Sequence, residues 1–313
     1  MTAKDNAKPS NTTVSGTRTF TIAIGGGGGD PPPDGTVENA QLTSNGTVRY
    51  AVGRIYFEMP ANARKTKWNG YVCSGTAVSD DGTGGRSTIL TASHCVYDDA
   101  NKAFARRVMF IPDQADTTGT GTDRDCSNDP IGCWVPTLGV VDRNWTSRTF
   151  PDNVAWDYAF YVVGDNAHQG NAASNNVLDA AVAVMSMSFD PVNTNLGQSG
   201  SLSHAIGYSY SEDPKLMYCS ERMEDLDSAN YWLGHCGLSG GSSGGPWSQP
   251  FDMTTGDGPI ISVNSWGYTN QPGMAGPKLF GTSAACVFAV AKSTSIAGSF
   301  SDGNAGAIAD CGP

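Results

Sequence analysis

Charge is in short supply in this chain. Only 16% of its 313 residues are Asp, Glu, Lys or Arg, and the 19 cations are outnumbered by 30 acids, for a net charge of −11. A nucleic-acid footprint needs a basic patch that displaces counterions from phosphates, so no nucleic-acid partner is expected. Long apolar runs are missing too. The longest, Ala284–Ala291, falls well short of the ~18 residues that cross a bilayer as a helix, and no membrane partner is expected. Amphipathic helical periodicity is sparse, no internal repeat is visible, and no two cysteines form a C-x-x-C pair, the commonest zinc spacing. There are four histidines: His94, His168, His204 and His235.

Glycine is plentiful, with 39 residues. Short apolar runs separated by Gly, Asn, Asp and Pro predict an all-β fold. Runs such as Gly53–Met59, Tyr71–Val78, Arg107–Pro112 and His204–Tyr208 read as strands, and the alanine-rich Ser283–Lys292 reads as a helix. The eight cysteines predict an oxidising compartment and four bridges. Proximity in the sequence pairs Cys126 with Cys133, Cys219 with Cys236, and Cys286 with Cys311. The glycine run Gly25–Gly29 followed by Pro31–Pro33 has linker composition, and Thr19–Ile24 alternates like a strand. Met1–Ser10 is polar, so the expectation is an extracellular protein whose export signal is absent from this chain. Arg49 and Arg54 are candidate processing sites.

Three short segments carry chemistry. Gly241-Ser242-Ser243-Gly244-Gly245-Pro246 presents a serine from a glycine-rich loop, and Thr91-Ala92-Ser93-His94-Cys95 ends the strand-like Ser87–Leu90 on a histidine. Asp157 opens the strand-like Tyr158–Val163. A serine hydroxyl is a weak nucleophile near neutral pH and needs a base to take its proton. Imidazole titrates near neutrality and can return that proton to a leaving amine. A buried carboxylate fixes the imidazole tautomer. Glycines leave room for backbone N–H groups to converge on a developing oxyanion.

In the order His94, Asp157, Ser243, these motifs resemble those of the chymotrypsin-like serine proteases over roughly residues 50–295. Phe110-Ile111-Pro112 and Ala205-Ile206-Gly207-Tyr208 resemble the bacterial secreted glutamyl-endopeptidase-like branch. The resemblance implies two six-stranded antiparallel β-barrels packed face to face, a short C-terminal helix and a flexible N-terminal tail. The expected divisions are a tail or pro-segment over 1–46, a first barrel over 47–165 carrying His94 and Asp157, and a second over 166–313 carrying Ser243. It also implies an oxyanion hole from the N–H groups of Gly241 and Ser243, and a Cys73–Cys95 disulfide. Gly237, Leu238, Gly240 and Asn264 fall at its substrate-pocket positions, and Ser265-Trp266-Gly267 matches its substrate-pairing strand. The implied activity is hydrolysis of protein or peptide substrates by a secreted monomer, without cofactor or metal.

Departures are informative. Ser242 stands where animal trypsins carry an aspartate that pairs with a freed N-terminus, so that activation is not expected. Gly237 lacks the carboxylate that selects Lys or Arg, and Asn264 replaces the histidine of glutamyl endopeptidases, which leaves an uncharged, moderately open pocket as the expectation. Gly241–Gly245 also fits the G-x-S-x-G elbow of α/β-hydrolases, but every histidine here precedes Ser243, whereas that fold places its histidine after the serine. Ser283, in a subtilisin-like Gly-Thr-Ser-Ala segment, is expected to be structural, since no histidine is followed by glycine.

Overall fold

A computed structural model describes residues 3–5, 8–9, 35–120, 123–194, 202–296 and 306–312. The Gly25–Gly29 and Pro31–Pro33 linker and the Thr19–Ile24 strand expected from sequence lie outside them.

The chain is mostly β-structure. A ten-stranded sheet takes in Val52–Pro60, Trp68–Val78, Arg86–Thr91, Arg106–Pro112, Leu138–Asp142 and Ala159–Gly164. The central ladder of Val52–Pro60 with Trp68–Val78 runs antiparallel from Val52 opposite Thr76 to Pro60 opposite Trp68. These strands are rich in β-branched and aromatic residues and buried on both faces, hence their nearly continuous apolar runs. Val48, Ile55, Ile89, Leu90, Trp145 and Phe160 belong to the main apolar cluster beneath them.

Two five-stranded sheets follow. One contains Leu202–Gly207, Met217–Arg222, Pro246–Ser248 and Ile260–Val263; the other contains Asn230–Leu233, Trp266–Tyr268 and Met274–Pro277. A second apolar cluster, including Met217, Tyr231, Leu233, Trp247 and Met274, fills the space between them. Ser262 Oγ donates to Pro277 O at 2.8 Å and Leu279 N to Ile261 O at 3.1 Å, joining the two sheets.

The strand pairing therefore differs from two six-stranded barrels, and among the described residues no sheet closes on itself. The strands after Leu202 are at most six residues long, and register shifts at Tyr218/Ser220 and Trp247/Ser248 break their ladders. The first sheet instead grows by accretion at its far edge, where Gly306–Ala309 adds in parallel to Leu138–Asp142.

Part of the expected tail is sheet as well. Val37–Gln41 pairs antiparallel with Met217–Arg222, so residues 1–46 are not wholly a flexible tail. Arg54 sits fully buried inside a strand, which removes it as a processing site in the folded chain. The helix Ala284–Ser293 buries Ala284, Val287, Phe288 and Ala291, a single i, i+3, i+4, i+7 stripe. Ser283 is its N-cap residue through its carbonyl, but its hydroxyl makes no capping bond and lies instead between Tyr158 Oη at 2.7 Å and Asp142 Oδ2 at 2.5 Å, a structural use. Four disulfides are present: Cys73–Cys95, Cys126–Cys133, Cys219–Cys236 and Cys286–Cys311. No helix among the described residues is long and apolar enough to cross a membrane.

Candidate active site

The strand Arg86–Thr91 ends in a 3-10 turn, Ser93–Cys95, that lifts His94 off the sheet. Asp157 caps the start of the neighbouring strand Ala159–Gly164, which pairs with Arg86–Thr91. Ser93 Oγ lies 2.9 Å from Trp156 O and 2.7 Å from Tyr158 O, fastening the histidine turn on either side of Asp157. Asp157 is almost fully buried. Its carboxylate accepts the His94 backbone N–H at 2.9 Å, meets His94 Nδ1 at 2.7 Å, and accepts a close hydrogen bond from Ser265 Oγ. A buried carboxylate needs such donors to offset lost hydration. Because the carboxylate only accepts, Nδ1 carries the imidazole proton and Nε2 keeps its lone pair.

Ser243 reaches this pair from a different sheet. Its carbonyl accepts the Ser74 N–H at 2.7 Å and lies 3.9 Å from Cys95 Sγ, next to His94. Gly244, at φ +79°, packs so closely that a Cβ there would stand 2.1 Å from Thr91 Oγ1 and 2.5 Å from Ser74 O. Gly241 also has positive φ, +99°. Among the described residues, neither the Gly241 nor the Ser243 N–H donates a hydrogen bond, and Ser243 Oγ is buried without a partner. A loop of this shape leaves two backbone donors and one hydroxyl available.

The serine loop is braced by residues that sequence reasoning missed. Ser74 Oγ donates to Gly241 O at 3.0 Å and accepts the Tyr208 N–H at 2.9 Å, while Ser74 O accepts from Thr91 Oγ1 at 2.8 Å. Arg54 donates to Gln114 Oε1 at 2.9 Å and Tyr208 O at 3.2 Å, and forms a close ion pair with Asp213. Burial pulls its guanidinium down to about 10, still cationic near neutral pH. A lone cation within the apolar run Gly53-Arg54-Ile55-Tyr56-Phe57 was the available signal for it. Ser74, a small residue beside Cys73, gave none.

The expected pocket residues are not equally placed. Gly237 N donates to Glu38 O at 2.7 Å, and Gly240 O accepts from Tyr210 N at 2.7 Å. Leu238 is packed into the second apolar cluster. Asn264 is fully buried: its side chain donates to Ile206 O at 2.8 Å and Ser242 O at 3.0 Å, and accepts from Trp247 Nε1 at 2.7 Å. Its amide is consumed inside the wall. Trp266 and Gly267 lie in the strand Trp266–Tyr268, directly after Ser265. Ser242 Oγ donates to Ser239 O at 2.8 Å, turned into the loop.

The remaining histidines are engaged elsewhere. His204 stacks near Tyr218 and Phe251, and burial lowers its pKa to about 4. His168 packs on Trp134, with Nε2 2.9 Å from Ile131 O. His235 Nδ1 meets the buried Glu221 carboxylate at 2.8 Å. Cys73, His94 and Cys95 lie close enough together to resemble a metal cluster, but the two sulfurs are bonded to each other and offer no thiolate.

No protein-family model and no curated protein matches the sequence. Solved structures do match. The chain is similar to the protease Anisep from Arthrobacter nicotinovorans, with 24% identity, a TM-score of 0.59, and coverage of 82% of this chain and 100% of that one. It is similar to a thermostable serine protease, AL20, from an extremophilic microorganism, at 26% identity and a TM-score of 0.58, covering 79% of this chain and 99% of the other. A Glu endopeptidase matches at 17% identity and a TM-score of 0.55, over 83% of this chain and 99% of its own. The chain thus shares the fold of these solved proteases and, at 26% identity to AL20, is similar to a serine protease.

Proposed function

We propose that the chain hydrolyses peptide bonds through Ser243, His94 and Asp157. The observation that carries this reading is the Asp157 carboxylate. It holds both the backbone N–H and Nδ1 of His94, and so leaves Nε2 basic, beside a loop whose serine hydroxyl and two N–H groups have no partner among the described residues. Ser243 Oγ attacks the carbonyl carbon while His94 Nε2 takes its proton. The oxyanion accepts from the N–H groups of Gly241 and Ser243, each donor worth about 3 kcal/mol of barrier. His94 then protonates the leaving amine, and water repeats the sequence on the acyl-enzyme.

In this reading the 47–165 part supplies the base and its carboxylate, the 166–313 part supplies the nucleophile, and the substrate lies between them. Trp266–Tyr268 pairs with substrate backbone. Gly237 and Gly240 carry no charge and the Asn264 amide is spent internally, so the side chain preceding the scissile bond is uncharged. Four disulfides support an extracellular setting. The reaction needs no cofactor, and the protein acts as a monomer.

The test is intact mass after exposure to a fluorophosphonate probe. One adduct on the native chain, absent from Ser243→Ala, supports an activated serine at 243. An adduct that persists in Ser243→Ala places the nucleophile elsewhere.

A further inference from the structure

The loop that carries Ser243 has no charge of its own: residues 237–245 are all Gly, Leu or Ser. It is seated on a neighbouring segment, Tyr208 to Asp213. Tyr210 N donates to Gly240 O at 2.7 Å, Ser239 N donates to Ser209 Oγ at 3.0 Å, and the Ser211 and Ser239 hydroxyls lie 2.6 Å apart. The first of these bonds sets a direction. In a planar trans peptide the C=O and N–H point oppositely, so holding Gly240 O fixes where the Gly241 N–H points.

That segment is gripped in turn by one side chain of the first sheet. Arg54 Nη1 donates to Tyr208 O at 3.2 Å, at one end of the segment, and Arg54 forms its close ion pair with Asp213 at the other. Its Nε donates to Gln114 Oε1 at 2.9 Å, and Gln114 Nε2 donates to Tyr56 Oη at 3.2 Å. Arg54 and Gln114 are both buried. The guanidinium also stands against the Gly241 peptide: a Cβ on Gly241 would lie 2.9 Å from Tyr208 O, 3.1 Å from Tyr210 N and 3.3 Å from Arg54 Nη1. A planar fork serves several acceptors at fixed angles. One buried cation thereby ties Gln114, Tyr208 and Asp213 into a single geometry on either side of Tyr210.

We propose that Arg54 and Asp213 are positioning residues for the oxyanion hole, acting through the Tyr208–Asp213 segment to hold the Gly241 N–H towards the reacting carbonyl. The inference rests on the protease reading for its effect on turnover, and on the hydrogen bonds alone for the hold on Tyr210. Both residues act through the backbone of residues 208–213 and from there on the loop. Their contribution falls on the step in which negative charge develops on the carbonyl oxygen, so it is read in kcat and leaves KM in place. Tilting one oxyanion donor without removing it lowers kcat about tenfold.

The experiment compares the full chain with Arg54→Met/Asp213→Leu. Removing one partner alone would strand a buried charge, whereas apolar replacement of both is often neutral for stability. Four quantities are measured: peptide-amide kcat and KM, backbone amide exchange at Tyr210, the low-field Nδ1–H proton resonance of His94, and the pH at which the hemiacetal of a carbon-13 peptide aldehyde ionises. The last reads oxyanion stabilisation directly. The expected result is a kcat about tenfold lower at native KM, hemiacetal ionisation about one pH unit higher, faster exchange at Tyr210, and an unchanged His94 resonance. Native values of kcat, hemiacetal ionisation and Tyr210 exchange in the folded variant would overturn the inference. So would loss of the His94 resonance together with kcat, which places the damage in the His94–Asp157 pair. If the double variant does not fold, Arg54→Lys takes its place. It keeps the charge but not the fork, and full native turnover and exchange there would equally overturn the inference. If the native chain neither labels with a fluorophosphonate nor forms the hemiacetal, the protease reading fails, and Tyr210 exchange alone decides whether Arg54 holds the segment.

Discussion

Ser74 offers a sharp test of how the proposed oxyanion loop is held. Its hydroxyl donates to Gly241 O and accepts from Tyr208 N–H, at 3.0 and 2.9 Å, in a fully buried position. Ser74→Ala deletes both bonds and leaves two buried backbone groups unpaired, each at about 1–3 kcal/mol. A loss of about 2–6 kcal/mol is expected, a fall of roughly 4–15 °C in Tm for a chain of this size. The Ser74 N–H still holds Ser243 O, so the nucleophile stays in place while the Gly241 peptide loses its anchor. Loss of an aligned oxyanion donor is worth about 3 kcal/mol; a partial misalignment of half that lowers kcat about tenfold. KM stays close to its native value, because Trp266–Tyr268 is untouched. Thermal unfolding and steady-state hydrolysis of a peptide amide read both quantities. A drop in Tm with kcat unchanged would refute the coupling between Ser74 and the oxyanion hole. An unchanged Tm would refute the claim that its two bonds matter at all.

Two other expectations are simpler. Asp157→Asn removes the carboxylate that fixes the His94 tautomer and should lower kcat by about 10³-fold or more near neutral pH with little change in fold; near-native turnover would show that His94 is oriented by something else. His204 is held neutral down to about pH 4 by burial, below its ordinary value of 6.5. Between those values the unfolded chain binds the extra proton, so stability is intact above about 6.5 and is lost progressively as pH falls towards 4, by up to about 3 kcal/mol. Denaturant unfolding at pH 7 and pH 4 should show this loss in the native chain and a smaller one in His204→Phe; identical losses would exclude His204 as the source.

The three residues proposed for catalysis could be singled out in the sequence because each sits in a local pattern that the proposed chemistry demands: a glycine-flanked serine, a histidine ending an apolar run, an aspartate opening one. Three of the cysteine pairs could be read from proximity because the bridged residues are near in sequence, and Cys73–Cys95 from the family resemblance. The β-class was legible from the turn residues and short runs, but the sheet memberships were not. The second half has strands of two to six residues with register shifts, and nothing local says which edges meet. Asn264 was placed in the pocket by position in the chain, whereas its side chain turned inward to satisfy Ser242 O and Ile206 O. Ser74 and Arg54 owe their importance to partners more than a hundred residues away, Gly241, Tyr208 and Asp213. Such long-range satisfaction of buried polar groups leaves little trace in a linear pattern.

The close seat of Gly244 against Thr91 and Ser74 has a consequence for how this protein ages. In the proposed mechanism the reacting groups come from separate sheets and approach each other only where those sheets touch, so the first loosening of that seam parts Ser243 from His94. Activity is then the most fragile property of the molecule, lost while strands and disulfides are still intact. For a chain acting in the proposed way, that order of failure is protective. A copy that begins to open is disarmed before its neighbours, or it, can be cut.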